Sequence, residues 1–134
     1  IFLTCEKYLD AGHGFAPFVQ PELCDLMKTA LQRLESAHGW AVPHFAVMPN
    51  HVHLLILPVA PSAYPLRRLI PVVKGRFACE ANRLLQRTGT FWQSEWFDHW
   101  VRDEKEASKI IDYIHQNPVK AELATTWDRY RWVR

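Results

Sequence analysis

Two short stretches of this chain carry residue types that could do chemistry. The first is His51-Val52-His53, which follows Met48-Pro49-Asn50 and opens an apolar run through Leu57. Successive side chains of a strand point to opposite faces, so His51 and His53 share one face while Val52, Leu54 and Ile56 take the other. Two imidazoles so spaced can hold one divalent cation between them. Such a pair also occurs where a histidine merely starts a strand and its neighbour is a hydrogen-bonded sheet residue. The second stretch is Tyr113-Ile114-His115-Gln116-Asn117-Pro118. On a helix, Tyr113 and Asn117 are four residues apart and stack on one side. Each has a plain structural explanation. Tyr113 can pack by its ring with its hydroxyl in water, and Asn117 can cap a following turn that has Pro118 at its first position.

The elements that must position these residues follow from periodicity. Ile1 to Leu9 alternates as a strand and runs into a loop at Asp10-Ala11-Gly12-His13-Gly14. From Pro21 to about Ala37, Leu23, Leu26, Met27, Ala30, Leu31 and Leu34 form a helical apolar stripe, with Pro21 suited to the first position and Gly39 to the exit. Trp40 to Val47 reads as a strand, and Pro43 within it argues for a sheet edge or a late start. Met48-Pro49-Asn50 turns this strand into a partner over His51 to Leu57, a hairpin with the histidines just past its tip. Pro58, Pro61, Ser62 and Pro65 make the next loop. Leu66 to about Gln86 is helical in composition but interrupted by Pro71 and Gly75, which predicts a kink or two segments.

After the break at Thr88-Gly89-Thr90, a strand is expected at about Trp96 to Arg102. Asp103 and Glu106 resemble a capping box, and Ala107, Ile110, Ile111 and Ile114 form the buried stripe of a last helix. A short helical turn to Leu123 and a tail with Trp127 and Trp132 close the chain. The order strand, helix, strand, strand, helix, strand, helix is the split βαβ arrangement with one added C-terminal helix. It predicts an α+β, ferredoxin-like sandwich: an antiparallel sheet with helices on one face and the other face left for a ligand or partner.

Composition bounds the rest. A chain of 134 residues reads as one domain, 1–134, large enough to bury a core without metal or disulfide staples. Six tryptophans and a 49% hydrophobic content exclude disorder. A net charge of +2 does not announce a nucleic-acid binder, but its distribution does more. Between Tyr64 and Arg102, Arg67, Arg68, Lys74, Arg76, Arg83, Arg87 and Arg102 face only Glu80, Glu95 and Asp98. That excess fits a phosphate-contacting face, with a solvated helix face as the ordinary alternative. Cys5, Cys24 and Cys79 read as thiols in a reducing compartment. With no apolar run of membrane-spanning length and no signal-peptide pattern, a cytoplasmic location is expected. The absence of an initiating methionine suggests trimming before Ile1.

Taken together, the motifs resemble the HUH single-tyrosine transposases (IS200-like), and within them the REP-associated tyrosine transposases. The resemblance rests on Met48-Pro49-Asn50-His51-Val52-His53-Leu54-Leu55, Lys74-Gly75, Gly89-Thr90-Phe91-Trp92-Gln93, Phe97-Asp98-His99, Tyr113-Ile114 and Asn117-Pro118-Val119-Lys120-Ala121. It implies a metal pair at His51 and His53, a nucleophile at Tyr113 and a third metal ligand at Asn117, where the wider family has glutamine or glutamate. Two departures stand out: Pro71, inside a helix usually free of proline, and Glu122, where the family has glycine. The resemblance also leads one to expect a longer tail after Arg134.

The implied activity is metal-dependent cleavage and rejoining of single-stranded DNA through a 5′-phosphotyrosine, at sites beside a hairpin. Mg2+ or Mn2+ fits the ligand set, manganese tolerating nitrogen donors better. Arg67, Arg68, Lys74, Arg76 and Arg83 are the expected DNA-phosphate contacts. One nucleophile per chain leaves monomer and homodimer both open. A histidine-triad nucleotide hydrolase would need a third histidine where Leu55 stands. The alternative from another class is a DNA-hairpin-binding module that keeps the fold without cutting.

Overall fold

Two antiparallel strands, β2 (Trp40–Met48) and β3 (His51–Pro58), meet across the turn Pro49-Asn50, with Met48 opposite His51 and Ala46 opposite His53. In the computed structural model, which describes residues 2–8, 15–61, 63–92 and 97–134, this hairpin forms one side of a four-stranded sheet. The other strands are β1 (Phe2–Tyr8) and β4 (Phe97–Val101), and the order β2-β3-β1-β4 is antiparallel throughout. With α1 (Pro21–Ala37) between β1 and β2 and α2 (Leu66–Leu84) between β3 and β4, this is the expected split βαβ sandwich. The last helix, α3 (Glu104–Lys120), follows β4. The expected loop at 10–14 lies outside the described residues, as does Gln93.

Strand alternation divides the core in two. Phe45, Val47, Val52, Leu54 and Ile56 point to the face covered by α1 and α2, where they meet Leu23, Met27, Leu31, Leu34, Leu69, Ile70 and Phe77. Ala46, Met48 and Leu55 point the other way and pack with Val101, Ala107 and Ile114. That second cluster corrects one expectation. The face opposite α1 and α2 is not left open, because the isoleucine stripe of α3 buries itself there. Each aliphatic side chain so buried contributes about 1.5–3 kcal/mol, reason enough for the helix to cross the sheet.

Local chemistry fits most expected boundaries. Pro21 starts α1, and Gly39, with φ of 71°, follows its C-cap His38. The ladder of β2 slips between Ala41 and His44, a bulge around Pro43 that accommodates the missing donor. Asp103 caps α3 by accepting from the Glu106 N–H at 2.8 Å. The return arm of the expected box goes one residue further back, to the Arg102 N–H at 2.7 Å, and Glu106 also pairs with His99.

Of the two outcomes expected for α2, separate segments are excluded: it is one helix from Leu66 to Leu84 through Pro71 and Gly75, with its apolar stripe of Leu69, Ile70, Phe77 and Ala81 buried along that length. One further expectation is corrected: α3 runs through Pro118 to Lys120, so Asn117 lies in its last turns and does not cap a separate one. The C-terminal tail runs along the sheet. A 3-10 turn at Trp127–Arg129 leads to Val133, which bridges to Ala46, and Phe45 and Arg134 exchange backbone hydrogen bonds of 2.9 Å along the outer edge of β2.

Candidate active site

The two histidines at the start of β3 converge. Their Nε2 atoms stand 2.9 Å apart with the rings nearly perpendicular. On the turn, the Oδ1 of Asn50 lies 2.7 Å from Nδ1 of His51. An amide oxygen only accepts, so this contact puts the His51 proton on Nδ1 and leaves the Nε2 lone pair aimed at His53. His53 is buried, at 4% exposure. Burial, reinforced by His51, pushes its pKa down to about 3, so the ring is neutral over the physiological range.

Two residues of α3 close the site from above the sheet. Tyr113 and Asn117, four residues apart on α3, lie on one side of it, next to the buried Ile114 and Pro118. The Tyr113 ring lies edge-to-face on His53 with centroids 5.2 Å apart, and it is 46% exposed, open to a substrate arriving from solvent. The Asn117 amide donates to the Tyr113 carbonyl at 2.8 Å. Its side chain also hydrogen-bonds His53 in the sense that favours the imidazolium, which presents the amide oxygen to that ring.

His51, His53, Tyr113 and Asn117, distant in sequence, are thus brought together at one end of the sheet. The donor set suits a divalent cation. His51 and His53 would offer it imidazole nitrogens and Asn117 an amide oxygen. Among the described residues there is no group of three or more His, Cys, Asp or Glu side chains that could hold a metal, so an amide would have to be the third protein donor.

The five cationic residues expected at DNA do not form one patch. Lys74 lines an open groove on the side of α2 facing residues 89–92, and Arg67, two turns earlier, is on the same flank. Arg76 and Arg83 line the opposite flank toward α1, where Arg76 pairs with Glu80 at 3.4 Å. Arg68 is exposed between the flanks. Arg87 has a bracing role: it donates to Asn82 Oδ1 at 3.0 Å and to the Thr90 carbonyl at 3.3 Å while its guanidinium covers the Phe15 ring.

Sequence reasoning treated Asn50 only as a turn residue. The signal that could have found its role was an Asx side chain directly before a candidate ligand. It also passed over His44, His115 and Trp127. On the other flank of α3, His115 stacks on Trp127 at 4.0 Å and meets the ring of His44 at 5.2 Å, fixing the rotation of the helix that carries Tyr113.

Comparison with known proteins gives consistent findings. Residues 16–117 match the family model described as "Transposase IS200 like". Over 94 residues the chain is 32% identical to a Haemophilus influenzae protein named "Putative REP-associated tyrosine transposase", covering 60% of this chain and 52% of that one. The chain spans about half the length of the two Haemophilus relatives it matches. Among solved structures, a REP-associated tyrosine transposase bound to a REP hairpin superposes with a TM-score of 0.77 at 16% identity, covering 98% of this chain and 74% of that one. A "putative transposase" from Deinococcus radiodurans superposes with a TM-score of 0.59 at 20% identity, covering 85% and 88%. At these identities the superpositions establish the shared fold. No helix among the described residues is long and apolar enough to cross a membrane.

Proposed function

The chain belongs to the IS200-like transposase family, and from that premise we propose that it cuts and rejoins single-stranded DNA beside a hairpin, with Tyr113 as nucleophile. The observation that carries this reading is the convergence of His51 Nε2 and His53 Nε2 to 2.9 Å, with the Tyr113 ring edge-to-face on His53. A phosphodiester is anionic and repels nucleophiles, so its cleavage needs a positive charge on a non-bridging oxygen and an oriented attacking group. His51, His53 and Asn117 would hold Mg2+ or Mn2+. When bound, such a cation supplies Lewis-acid stabilisation of that oxygen.

The residues do the rest. Asn50 holds His51 in the tautomer that offers Nε2, and burial keeps His53 uncharged. Tyr113 attacks phosphorus through its oxygen as the phenolic proton leaves. The Tyr113 oxygen-phosphorus bond forms, the bond from phosphorus to the 3′ oxygen breaks, and that oxygen takes up a proton. The product is a 5′-phosphotyrosine and a free 3′ hydroxyl. One phosphodiester replaces another, so attack by a DNA 3′ hydroxyl reverses the step without a nucleotide cofactor.

The test is a labelled oligonucleotide carrying a hairpin and a flanking single strand, incubated with protein and manganese and run on a denaturing gel. A covalent protein-DNA band that disappears in Tyr113→Phe is the expected result. Tight binding with no covalent band on any hairpin of a panel would instead support a binding module. A band surviving in Tyr113→Phe would assign the chemistry to another tyrosine, with Tyr8, Tyr64 and Tyr130 the next to replace.

A further inference from the structure

The helix that carries Tyr113 rests on the sheet along a narrow stripe, and a narrow stripe does not by itself stop a helix from rolling. In α3 the buried aliphatic contacts are Ala107 and Ile114, with Ile110 and Ile111 half-buried beside them. At about 3.6 residues per turn, Tyr113 and His115 project about 200° apart, on opposite flanks of Ile114. A roll that lifts one flank lowers the other. With side chains reaching about 5–6 Å from the axis, a roll of about 20° carries the Tyr113 ring by about 2 Å.

The flank away from Tyr113 is clamped between two rings from different elements. From β2 comes His44, on the same face as Ala46 and Met48, its ring centroid 5.2 Å from that of His115 and the planes at 70°. From the turn after α3 comes Trp127, whose ring lies flat on His115 at 4.0 Å with 4° between the planes. Hydrogen bonding does not explain the pairing of the histidines, since His44 Nδ1 and His115 Nε2 are buried with no hydrogen-bond partner among the described residues. Nor is Trp127 a core residue: it is 38% exposed, and no side chain of its turn is buried. What the stack supplies is a surface against which α3 cannot turn.

That surface is anchored apart from α3. Tyr130 donates its hydroxyl to the Val47 carbonyl at 2.7 Å, the Val47 N–H donates to the Trp132 carbonyl at 2.9 Å, and Trp132 donates from Nε1 to Asp25 Oδ1 at 3.0 Å. These bonds tie the tail to β2 and α1, so Trp127 meets α3 from a segment that the sheet holds. On the near flank, any roll alters the contact of the Tyr113 ring with His53, whose centroids are 5.2 Å apart. We propose that Trp127, acting through His115, is a positioning residue that holds Tyr113 against His53 in the orientation that attack requires. This rests on Tyr113 being the nucleophile, and it puts a determinant of that chemistry in the C-terminal tail, on the opposite side of α3 from the reacting oxygen.

The experiment takes two readings on Trp127→Ala. One is the rate of covalent band formation in manganese at saturating oligonucleotide, together with the half-saturating concentration. The other is the fluorine resonance of Tyr113 in protein made with fluorotyrosine, assigned by its absence in Tyr113→Phe. The rate is expected to fall about 10- to 100-fold while the half-saturating concentration stays within about twofold, because orientation and not binding is lost. The Tyr113 resonance should shift while that of Tyr64 does not. Trp127→Phe keeps a flat ring on His115 and should restore both rate and resonance. If the alanine variant melts below the assay temperature, Trp127→Leu, which fills space without stacking, takes its place with the same expectations. A loss mirrored in the half-saturating concentration, or one that phenylalanine does not restore, would overturn the positioning role. If the unsubstituted protein forms the band and the variant matches it in rate and resonance, only the positioning role falls. If the unsubstituted protein forms no band, the proposed function falls and the positioning role with it.

Discussion

Asn50 and His51 illustrate how much of the site is decided by single hydrogen bonds. The contact of 2.7 Å fixes which nitrogen of His51 is bare. Replacing Asn50 with alanine frees the tautomer and the ring rotation, and the expected outcome is manganese affinity about 10- to 100-fold weaker with the fold intact, measured by titration followed by electron paramagnetic resonance. Affinity equal to wild type would show that the sheet alone orients His51. A second residue-scale prediction concerns His44. Burial first, and then the neighbouring His115, push its pKa below the ordinary 6.5; from the tail, Arg134 acts in both directions, through its backbone bond and its charge. The unfolded chain takes up the His44 proton near pH 6.5 while the folded chain resists it. Stability is therefore full above that pH and falls as the solution is acidified below it. His44→Phe should show a shallower acid loss in urea unfolding, the remainder coming from His53, which shifts the same way. The shared face of His51 and His53 was readable because alternation needs only the strand. Asn50 and His44 were not, because where a turn side chain aims and what lies over a sheet depend on tertiary contacts.

Helix ends show the element scale. Both α2 and α3 finish in a Schellman arrangement: Leu123 N–H bonds to the Pro118 carbonyl and Glu122 N–H to that of Val119, while Arg87 N–H and Gln86 N–H bond those of Asn82 and Arg83. The residue in the left-handed position is normally glycine, but here it is Glu122 with φ of 58° and Gln86 with φ of 52°. Glu122→Gly relieves the steric cost of a Cβ and gives back part of it as chain entropy, so a net gain of about 0.5–1 kcal/mol in thermal or urea unfolding is expected. The continuity of α2 was not legible for the complementary reason. Pro71 and Gly75 are penalties that can be read locally, whereas the burial of Leu69, Ile70, Phe77 and Ala81 that outweighs them belongs to the packed state. In α3, the stripe was readable from spacing, but continuation through Pro118 was not, since proline also marks helix ends.

At the scale of the molecule, the site is a seam between two cores. The sheet presents His51 and His53 on the face of the smaller cluster, and only the docking of α3 on that face brings Tyr113 and Asn117 to them. Element order was enough to predict the sandwich. It could not say which face α3 covers, because an isoleucine stripe fits either. Nor could it reveal that the tail closes the outer edge of β2, since that pairing joins residues far apart in the chain and rests on few of them. An uncovered edge strand is a template for association, so the tail also limits where the sheet can grow. Arg134 concentrates this role: its N–H donates to Phe45, and its guanidinium reaches Glu35 Oε1 at 2.6 Å and the Val42 carbonyl. Arg134→Pro removes the donor and the cation together. The ion pair is partly exposed and adds little, so the backbone bonds set the expected loss at about 1–2 kcal/mol. That loss would be read as a lower thermal midpoint with concentration-dependent association in size-exclusion chromatography, while the covalent DNA band persists below the midpoint. A midpoint unchanged by the substitution would mean that β2 needs no cover, and that the two cores alone hold α3 over the histidines.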